Sequence, residues 1–270
     1  MSKYKLIAFD MDGTLLNSQK RISKPTVIAL NKAINNKKHV VLSTGRAIVE
    51  LNDYKDELSN LQYGICESGA LVYDFKNNKI IHQDTIPLPI IKKILDITYQ
   101  EDIMIHLLTN GNSVIYKDDL DKMQKYNMDI YKPMFTRVAT TVDDIYDYAI
   151  KNKIEKINLY HTNSSNRKKT YDTLKNLPLS FALAETTSLE ITSLNVTKAK
   201  GLKVLCNYLN IDITESIAVG DSNNDLDILK TAGLAIAMKN AKDNIKLVCD
   251  IIVSDNDHDG CKEAIESYLL

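Results

Sequence analysis

The stretch "LIAFDMDGTL", residues 6–15, joins an apolar run directly to two aspartates, Asp10 and Asp12. The run "LIAF" indicates a short buried strand. In an extended segment, Asp10 and Asp12 point to the same side, and Met11 points to the other. Because neighbouring carboxylates repel each other, the pattern predicts a divalent cation that relieves this repulsion at the end of the strand.

Short apolar runs of the same kind recur along the chain. "YKLIAF", "HVVLS", "SIAVG" and "CDIIVS" are bounded by polar residues or glycine and indicate buried parallel strands. Helical patterns separate them, over residues 24–37, 198–209 and 222–231. Strands that alternate with helices predict an α/β protein with a doubly wound parallel sheet, a Rossmann-like core.

The character of the sequence changes between residues 85 and 188. The stretch "DTIPLP" marks the start of the change, and turn signals such as "TNGNS" and short strands such as "KINLY" follow. Helical patterns lie near residues 89–100, 142–152 and 166–176. We therefore predict an inserted α+β domain at 85–188, within a core domain formed by 1–84 and 189–270.

The composition argues against several kinds of partner and site. The chain has 270 residues and a net charge of −1, whereas a nucleic-acid-binding domain usually carries a basic excess. No apolar run approaches the roughly 18 residues of a membrane span, and the first residues lack a signal-peptide pattern. The 4 cysteines show no CxxC spacing, and the 5 histidines show no zinc-binding spacing. We expect a cytoplasmic protein that binds neither nucleic acid nor membrane.

Acidic residues follow two of the predicted strands. Asp10 and Asp12 follow the first strand, and Asp221 and Asp225 follow "SIAVG" within the stretch "GDSNND". Ligands of an open α/β sheet bind beyond the carboxyl ends of its strands. Carboxylate oxygens are the ligands that Mg²⁺ prefers, so these residues are candidates for a magnesium site.

Residues suited to phosphate follow the second strand, in the stretch "STGR" at 43–46. Thr44 supplies a hydroxyl group, and Gly45 lets the backbone approach a ligand closely. A helix beginning near Arg46 would offer free N–H groups to an anion. The stretch "NVTKAKG" at 195–201 adds a lysine. Acids, a cation and an anion site together predict phosphoryl chemistry through a carboxylate nucleophile.

These motifs carry a resemblance to a known family. "DMDGTL", "STGR", the lysine of "VTKAKG" and "GDSNND" resemble the four motifs of the haloacid dehalogenase-like superfamily. "LEIT", "NVTK", "AMKNA" and "DHDG" further resemble its Cof-type, YidA-like sugar phosphatase branch. The branch usually has glycine where this chain has Asn195 and Ala199. We align Lys198 with the motif lysine, and Lys200 is the alternative.

The resemblance implies roles for individual residues. Asp10 would be the nucleophile that forms an aspartyl-phosphate, and Asp12 would be the general acid and base. The residues implied to bind the phosphoryl group are Met11 (through its amide), Thr44, Gly45, Lys198 and Asn224.

The resemblance also implies a cofactor, Mg²⁺. Its ligands would be the side chains of Asp10 and Asp221 and the backbone carbonyl of Asp12, with Asp225 supporting the ion through water. Arg46 and Ser222 receive no assigned role.

The inserted domain would act as a cap that contacts the leaving group. Candidate cap residues are His106, Tyr160 and Glu185, none of which is assigned. The expected substrates are phosphate monoesters of small metabolites, with sugar phosphates first, and the expected state is a monomer or a weak homodimer.

Three other functions are consistent with parts of this pattern. A phosphomutase would use the same site and return the phosphoryl group to a sugar. A receiver-type signalling protein also gathers acids, a hydroxyl residue and a lysine around Mg²⁺, but it needs only about 100–150 residues. A dehalogenase is disfavoured because it has no use for Asp12 as the acid for a leaving group. The sequence favours a phosphatase, a phosphoric monoester hydrolase.

Overall fold

The computed structural model describes residues 2–99 and 101–270. It divides the chain into two compact units. Unit 1 contains residues 2–45, Tyr54–His82 and Thr197–Leu270, and unit 2 contains Arg46–Asp53 and Gln83–Val196. Unit 2 thus includes the segment Arg46–Asp53, which the sequence analysis placed in the core domain.

Both units contain strands and helices. The strands in chain order are β1 (Leu6–Phe9), β2 (His39–Ser43), β3 (Tyr63–Cys66), β4 (Leu71–Asp74), β5 (Lys79–Gln83), β6 (Ile103–Thr109), β7 (Asn112–Tyr116), β8 (Thr140–Val142), β9 (Lys156–His161), β10 (Leu179–Ala182), β11 (Ser188–Ser193), β12 (Ser216–Gly220), β13 (Leu234–Met238) and β14 (Ile251–Val253). The α-helices are α1 (Lys24–Asn35), α2 (Leu88–Thr98), α3 (Lys132–Val138), α4 (Ile145–Lys151), α5 (Ser164–Leu174), α6 (Lys198–Leu209), α7 (Leu226–Thr231), α8 (Asp243–Lys246) and α9 (Gly260–Ala264). Short 3₁₀ helices cover Ile48–Tyr54, Glu67–Gly69, Lys117–Tyr126, Asp129–Tyr131, Ile213–Glu215 and Asn223–Asp225, and a π-helical turn covers Ile265–Leu269.

The sheet of unit 1 has the strand order β14-β13-β12-β1-β2-β3-β4-β5. Neighbouring strands are parallel from β14 to β3, and β4 pairs with β3 in the antiparallel sense. The predicted doubly wound sheet is confirmed, and the antiparallel edge adds strands that were not predicted. Since β3 and β4 are only 4 residues long and each includes a Gly or Asp, their apolar signal is weak.

Helix α6 packs against this sheet beside β3 and β4. Leu202 and Leu205 are fully buried in one cluster with Leu6 and Ala8 of β1. Burial of each such leucine contributes about 1.5–3 kcal/mol. Thr197 caps the helix, because its side chain accepts a hydrogen bond from the N–H group of Lys200. This packing places the first residue of α6 near the end of β1.

The sheet of unit 2 has the order β10-β11-β9-β6-β7-β8. Its strands are antiparallel except for the pair β7–β8. One buried cluster joins α2, α4 and α5 to this sheet, and a second contains Met104, Met123 and Phe135. The predicted helices near 89–100, 142–152 and 166–176 correspond to α2, α4 and α5, and Gln100 lies outside the described residues.

The helix predicted near Arg46 is a 3₁₀ helix that begins at Ile48. Val49 donates its N–H group to the carbonyl of Gly111 over 3.0 Å, so the local backbone does not follow α-helical pairing. Arg137 and Asp53 form an ion pair in the same unit. The helix predicted near Arg46 is therefore of the 3₁₀ type and begins two residues later.

Within residues 2–99 and 101–270, none of the helices combines the length and apolar character required to cross a membrane.

Candidate active site

Asp10 is the first residue after β1, the strand between β12 and β2. Its N–H group donates a hydrogen bond of 2.9 Å to the carbonyl of Val219, and its exposed fraction is 5%. Phe9 pairs with Val219 of β12 and Leu42 of β2. The parallel register therefore places the residues that follow these three strands at one edge of the sheet.

Lys198 links two of the acids at this edge. Its ammonium group lies 2.5 Å from Oδ1 of Asp10 and 2.7 Å from Oδ1 of Asp225. All three side chains are buried. A buried charge needs partners of the opposite sign, and here one cation faces two carboxylates. Asp225 also accepts hydrogen bonds from the N–H groups of Asp221 and Ser222 through Oδ2, both 3.2 Å long.

The electrostatics of this cluster favour an additional cation. Burial and the neighbouring charge of Asp225 raise the pKa of Asp10, whereas Lys198 lowers it. Burial opposes a charged Lys198, but Asp10 and Asp225 raise its pKa above the ordinary value. Burial also raises the pKa of Asp221 to about 6. Burial thus penalises the charged forms of Asp10 and Asp221, a penalty that a bound cation would offset.

Asp221 is positioned by the loop that follows Asp12. Thr14 donates a hydrogen bond of 2.9 Å from its hydroxyl group to Oδ1 of Asp221. Gly13 has a φ of +87°, and a Cβ atom there would lie 2.6 Å from Oδ2 of Asp221. Glycine is required at this position both by the backbone conformation and by the approach of the carboxylate.

The acids are arranged suitably for a metal ion. Asp10, Asp221 and Asp225 each offer a carboxylate oxygen, and these oxygens lie within 4.8 Å of one another. A Mg²⁺–oxygen distance of about 2.1 Å puts opposite ligand oxygens about 4.2 Å apart. Three hard oxygen donors at this spacing, with an excess of negative charge, fit a divalent cation.

Asp12 lies at the more exposed side of the site. Lys20 contacts it over 2.8 Å, and the Asp12 side chain is 40% exposed. Met11, between the two acids, is fully buried. Burial therefore does not alternate along these three residues, because Asp10 and Met11 are both buried and only Asp12 is exposed in part.

The predicted phosphate-binding residues occupy different environments. Thr44 is buried, its N–H group donates to the carbonyl of Ile65 over 2.8 Å, and Gly45 follows it. Asn224 is exposed, and its Oδ1 accepts a hydrogen bond of 2.6 Å from the hydroxyl group of Ser222. Of the predicted residues, the structure brings Lys198 directly to Asp10, while Asn224 is joined to Ser222.

Two contacts were not predicted from the sequence. Asp225 binds Lys198 directly, and Thr14 binds Asp221. The signal for Asp225 was its position four residues after Asp221, at the start of a helical segment where an acid can cap N–H groups. Thr14 stood next to Gly13 in the first motif, but the sequence offered no partner for its hydroxyl group.

The unassigned cap candidates lie in unit 2. His106 and Tyr160 are buried beside each other, with Nδ1 of His106 3.2 Å from the Tyr160 hydroxyl group. Glu185 accepts a hydrogen bond of 2.7 Å from Tyr131. Arg46 contacts the sulfur of Met134 over 3.7 Å.

Comparison with known proteins identifies the family of this chain. Residues 7–265 match the family model of the haloacid dehalogenase-like hydrolases, and the chain belongs to this family. The membership predicted from the motifs at the strand ends is confirmed.

Relatives of similar length agree with this assignment. The chain is 28% identical over 276 residues to the 5-amino-6-(5-phospho-D-ribitylamino)uracil phosphatase YcsE of Bacillus subtilis, with 98% of this chain and 96% of that protein covered. It is also 28% identical to phosphatase YwpJ of B. subtilis, with 98% and 100% covered. A solved haloacid dehalogenase-like hydrolase from B. subtilis superimposes with a TM-score of 0.84 at 26% identity, covering 98% of this chain and 100% of that chain. The prediction of a phosphatase is confirmed.

Proposed function

We propose that this phosphatase is Mg²⁺-dependent and hydrolyses monoesters of small phosphorylated metabolites through an aspartyl-phosphate at Asp10. The observation that carries the proposal is the buried cluster at the carboxyl ends of β1 and β12. There a single lysine faces Asp10 and Asp225, and Asp221 lies within the same 4.8 Å set of oxygens.

In the first half-reaction, a carboxylate oxygen of Asp10 attacks phosphorus and the bond from phosphorus to the leaving oxygen breaks. Asp12 donates its proton to that oxygen, so the substrate leaves as an alcohol. Lys198 offers positive charge next to the attacking carboxylate, and Thr44 and Gly45 offer donors for the phosphoryl oxygens. Such preorganised donors stabilise charge that develops in the transition state.

In the second half-reaction, water attacks the phosphorus of the aspartyl-phosphate. Asp12, now ionised, takes a proton from the water, and Asp10 is released as a carboxylate together with inorganic phosphate. One residue can serve both steps because each leaves Asp12 in the protonation state that the next requires.

Mg²⁺ would be held by the side chains of Asp10 and Asp221 and by the backbone carbonyl of Asp12. When bound, the ion neutralises charge on the phosphoryl oxygens and orients them for in-line attack. Thr14 and Gly13 would keep the Asp221 carboxylate in place through the contacts described above. Asp225, whose oxygens accept bonds from Lys198 and two N–H groups, would support the site without displacing these donors.

The substrate is proposed at the level of a class. Sugar phosphates are the first candidates, and the relative named for a phosphoribitylamino-uracil adds a sugar-alcohol phosphate. The cap role of the inserted domain, the cytoplasmic location and the monomer or weak homodimer stay predictions.

The test is to trap the intermediate. The enzyme with Mg²⁺ is mixed with p-nitrophenyl phosphate and quenched within one turnover. After digestion, the mass of the peptide that contains Asp10 is measured. We expect the mass of one added phosphoryl group on Asp10, and none in the Asp10→Asn variant. An adduct on another residue, or turnover without any adduct, would contradict the proposal.

A substrate panel then narrows the class. It contains sugar phosphates, sugar-alcohol phosphates, flavin mononucleotide, pyridoxal phosphate and nucleotides, and release of inorganic phosphate is measured. Appearance of an isomeric phosphate ester in place of inorganic phosphate would indicate a phosphomutase.

A further inference from the structure

The loop that follows Asp12 is held by side chains from the far end of the chain. Asn240, after β13, donates from Nδ2 to the carbonyl of Gly13 over 2.7 Å. Asn256, after β14, donates from Nδ2 to the carbonyl of Leu16 over 2.9 Å. These residues lie in or beside the stretches "AMKNA" and "DHDG", to which the phosphatase mechanism gives no role.

The two asparagines are also joined to each other. The N–H group of Asn256 donates to Oδ1 of Asn240 over 3.2 Å. Asn240 therefore uses its amide nitrogen towards the loop and its amide oxygen towards Asn256. We call this pair, Asn240 and Asn256, the carbonyl brace.

The carbonyl brace forms hydrogen bonds to the backbone at two points of the turn that follows Asp12. Gly13 directly follows Asp12, and Leu16 pairs with Asp12 in an isolated β-bridge. Leu16 also donates its N–H group to the carbonyl of Met11 over 2.9 Å. Any shift of the carbonyls of Gly13 and Leu16 would therefore move the backbone from which the Asp12 side chain projects.

The Asp12 side chain is more exposed than that of Asp10. Asp10 is buried and bound by Lys198, whereas the Asp12 side chain is 40% exposed and its partner Lys20 is 54% exposed. An exposed ion pair contributes only about 0–1 kcal/mol, so it holds its geometry weakly. Proton transfer requires the acid within hydrogen-bond distance of the leaving oxygen, and a displacement of about 1 Å can cost about 10²-fold.

We propose that Asn240 and Asn256 are positioning residues for Asp12, holding the backbone of its loop so that the carboxyl group reaches the leaving oxygen. The inference rests on the acid role that the proposed function gives Asp12. It extends that function by assigning a task to two residues that the proposed mechanism does not use.

A purely structural role would have a different signature from positioning. Loss of folded protein lowers the rate with every substrate by the same factor. Loss of the acid's position lowers the rate mainly where the leaving group needs a proton. Phenolate, with a pKa near that of tyrosine at about 10, needs the acid more than the less basic p-nitrophenolate.

The experiment compares phenyl phosphate with p-nitrophenyl phosphate in Asn240→Ala, Asn256→Ala and the double variant. The value measured is kcat/KM, which covers only the steps up to release of the phenol. For the double variant we expect a fall of about 10–100-fold with phenyl phosphate and about 3-fold or less with p-nitrophenyl phosphate. Because both values come from one preparation, their ratio does not depend on the folded fraction.

Three further variants sharpen the test. Asn240→Asp and Asn256→Asp keep the side-chain size and remove the donor, and they carry the test if the alanine variants do not fold. We expect both to lower kcat/KM for phenyl phosphate more than for p-nitrophenyl phosphate, as in the alanine variants. Asn36→Ala is the matched control, since Asn36 also donates a side-chain bond of 2.8 Å to a backbone carbonyl, that of Lys32. Its ratio should equal that of the wild type.

An equal fall with both substrates, or no fall with either, would overturn the positioning role while leaving the proposed function intact. A wild-type enzyme that forms no phosphoryl-Asp10 would overturn the proposed function, and this inference with it. The Asp12→Asn variant shows the full effect of losing the acid. The ratio of kcat/KM for the two substrates in the double variant should lie between the ratios of Asp12→Asn and of the wild type.

Discussion

Lys198 donates a hydrogen bond of 2.5 Å to Asp10 although the two residues are 188 positions apart in the sequence. The contact joins the first residue of α6 to the residue that follows β1. Since Leu202 and Leu205 of α6 share one buried cluster with Leu6 and Ala8 of β1, the core of unit 1 and the geometry of the site depend on the same packing.

Replacement of Lys198 by methionine should impair both activity and stability. The change leaves Asp10 and Asp225 buried without their shared cation, which costs about 3–5 kcal/mol when one partner of a buried pair is removed. We expect kcat/KM for p-nitrophenyl phosphate to fall at least about 10²-fold. Urea unfolding and steady-state kinetics measure the two effects.

Lys200→Met is the control for this prediction, because Lys200 is the other lysine of the same motif. It should stay within a few-fold of the wild type in kcat/KM. A larger loss in Lys200→Met than in Lys198→Met would show that the motif lysine was misaligned.

Replacement of Asp12 by asparagine should separate substrates by their leaving groups. The variant keeps the nucleophile Asp10 but lacks the acid, so formation of the phosphoryl-enzyme should slow by about 10²–10⁴ with a sugar phosphate. The same step should slow much less with p-nitrophenyl phosphate. Dephosphorylation lacks its base with either substrate, so the aspartyl-phosphate should accumulate with the activated ester.

The accumulation of aspartyl-phosphate is measured by rapid quench and mass spectrometry of the peptide that contains Asp10. Equal slowing of the first step for both substrates would show that Asp12 is not the acid.

Mg²⁺ should raise the melting temperature of the wild type and should be required for activity. A ligand that binds only the folded state stabilises it by about 2.7 kcal/mol at one hundred times its dissociation constant. Chelation should abolish activity, and added Mg²⁺ should restore it. Ca²⁺ should inhibit, because its looser coordination disturbs in-line geometry.

Asp221→Asn should remove the stabilisation by Mg²⁺ without lowering the stability of the metal-free protein at neutral pH. The reason is that burial raises the pKa of Asp221 to about 6, so its charge opposes folding above that pH. Asp56→Asn, at an exposed position of unit 1, is the control and should respond to Mg²⁺ like the wild type. A normal Mg²⁺ response in Asp221→Asn would exclude Asp221 as a ligand.

His106 should make unit 2 sensitive to acid. Burial, with the charge of Lys156, lowers the pKa of His106 to about 3, while an unfolded histidine titrates near 6.5. Between these values the unfolded state binds more protons, so stability falls as the pH falls from about 6.5 to about 3. The groups that face His106 include Glu50, 3.5 Å from Nε2, and the hydroxyl groups of Ser113 and Tyr160.

The measurement is urea unfolding at several pH values, followed by tyrosine fluorescence, since the chain has 14 tyrosines and no tryptophan. His106→Gln should reduce the loss of stability below pH 6.5 by up to about 4 kcal/mol. Glu50 changes the pH dependence of the free energy of unfolding in the opposite direction, because burial raises its pKa. The exposed His258→Gln variant is the control, and a pH dependence that is equal in both variants would contradict the prediction.

The local pattern of the sequence was sufficient to predict the fold class and, through the resemblance of its motifs, the family. Apolar runs followed by Asp10, Thr44 or Asp221 identify buried strands whose carboxyl ends meet at one edge of a sheet, because parallel strands all end at the same side. This is why the α/β fold and the phosphatase family could be predicted from short stretches. The same reasoning does not define the partners within the site, since strand patterns carry no information about side-chain contacts over long distances.

Tertiary packing alone decided which groups meet. The direct bond from Lys198 to Asp225, the hydroxyl of Thr14 on Asp221 and the carbonyl brace on the Asp12 loop all join residues far apart in the chain. The amide of an asparagine such as Asn240 can bond to any nearby carbonyl, so its sequence context does not specify the partner. Local periodicity was enough to predict several strands of the core sheet and the acids that follow two of them. The structure decided how the acids are held, because that depends on distances between elements that only the packed core brings together.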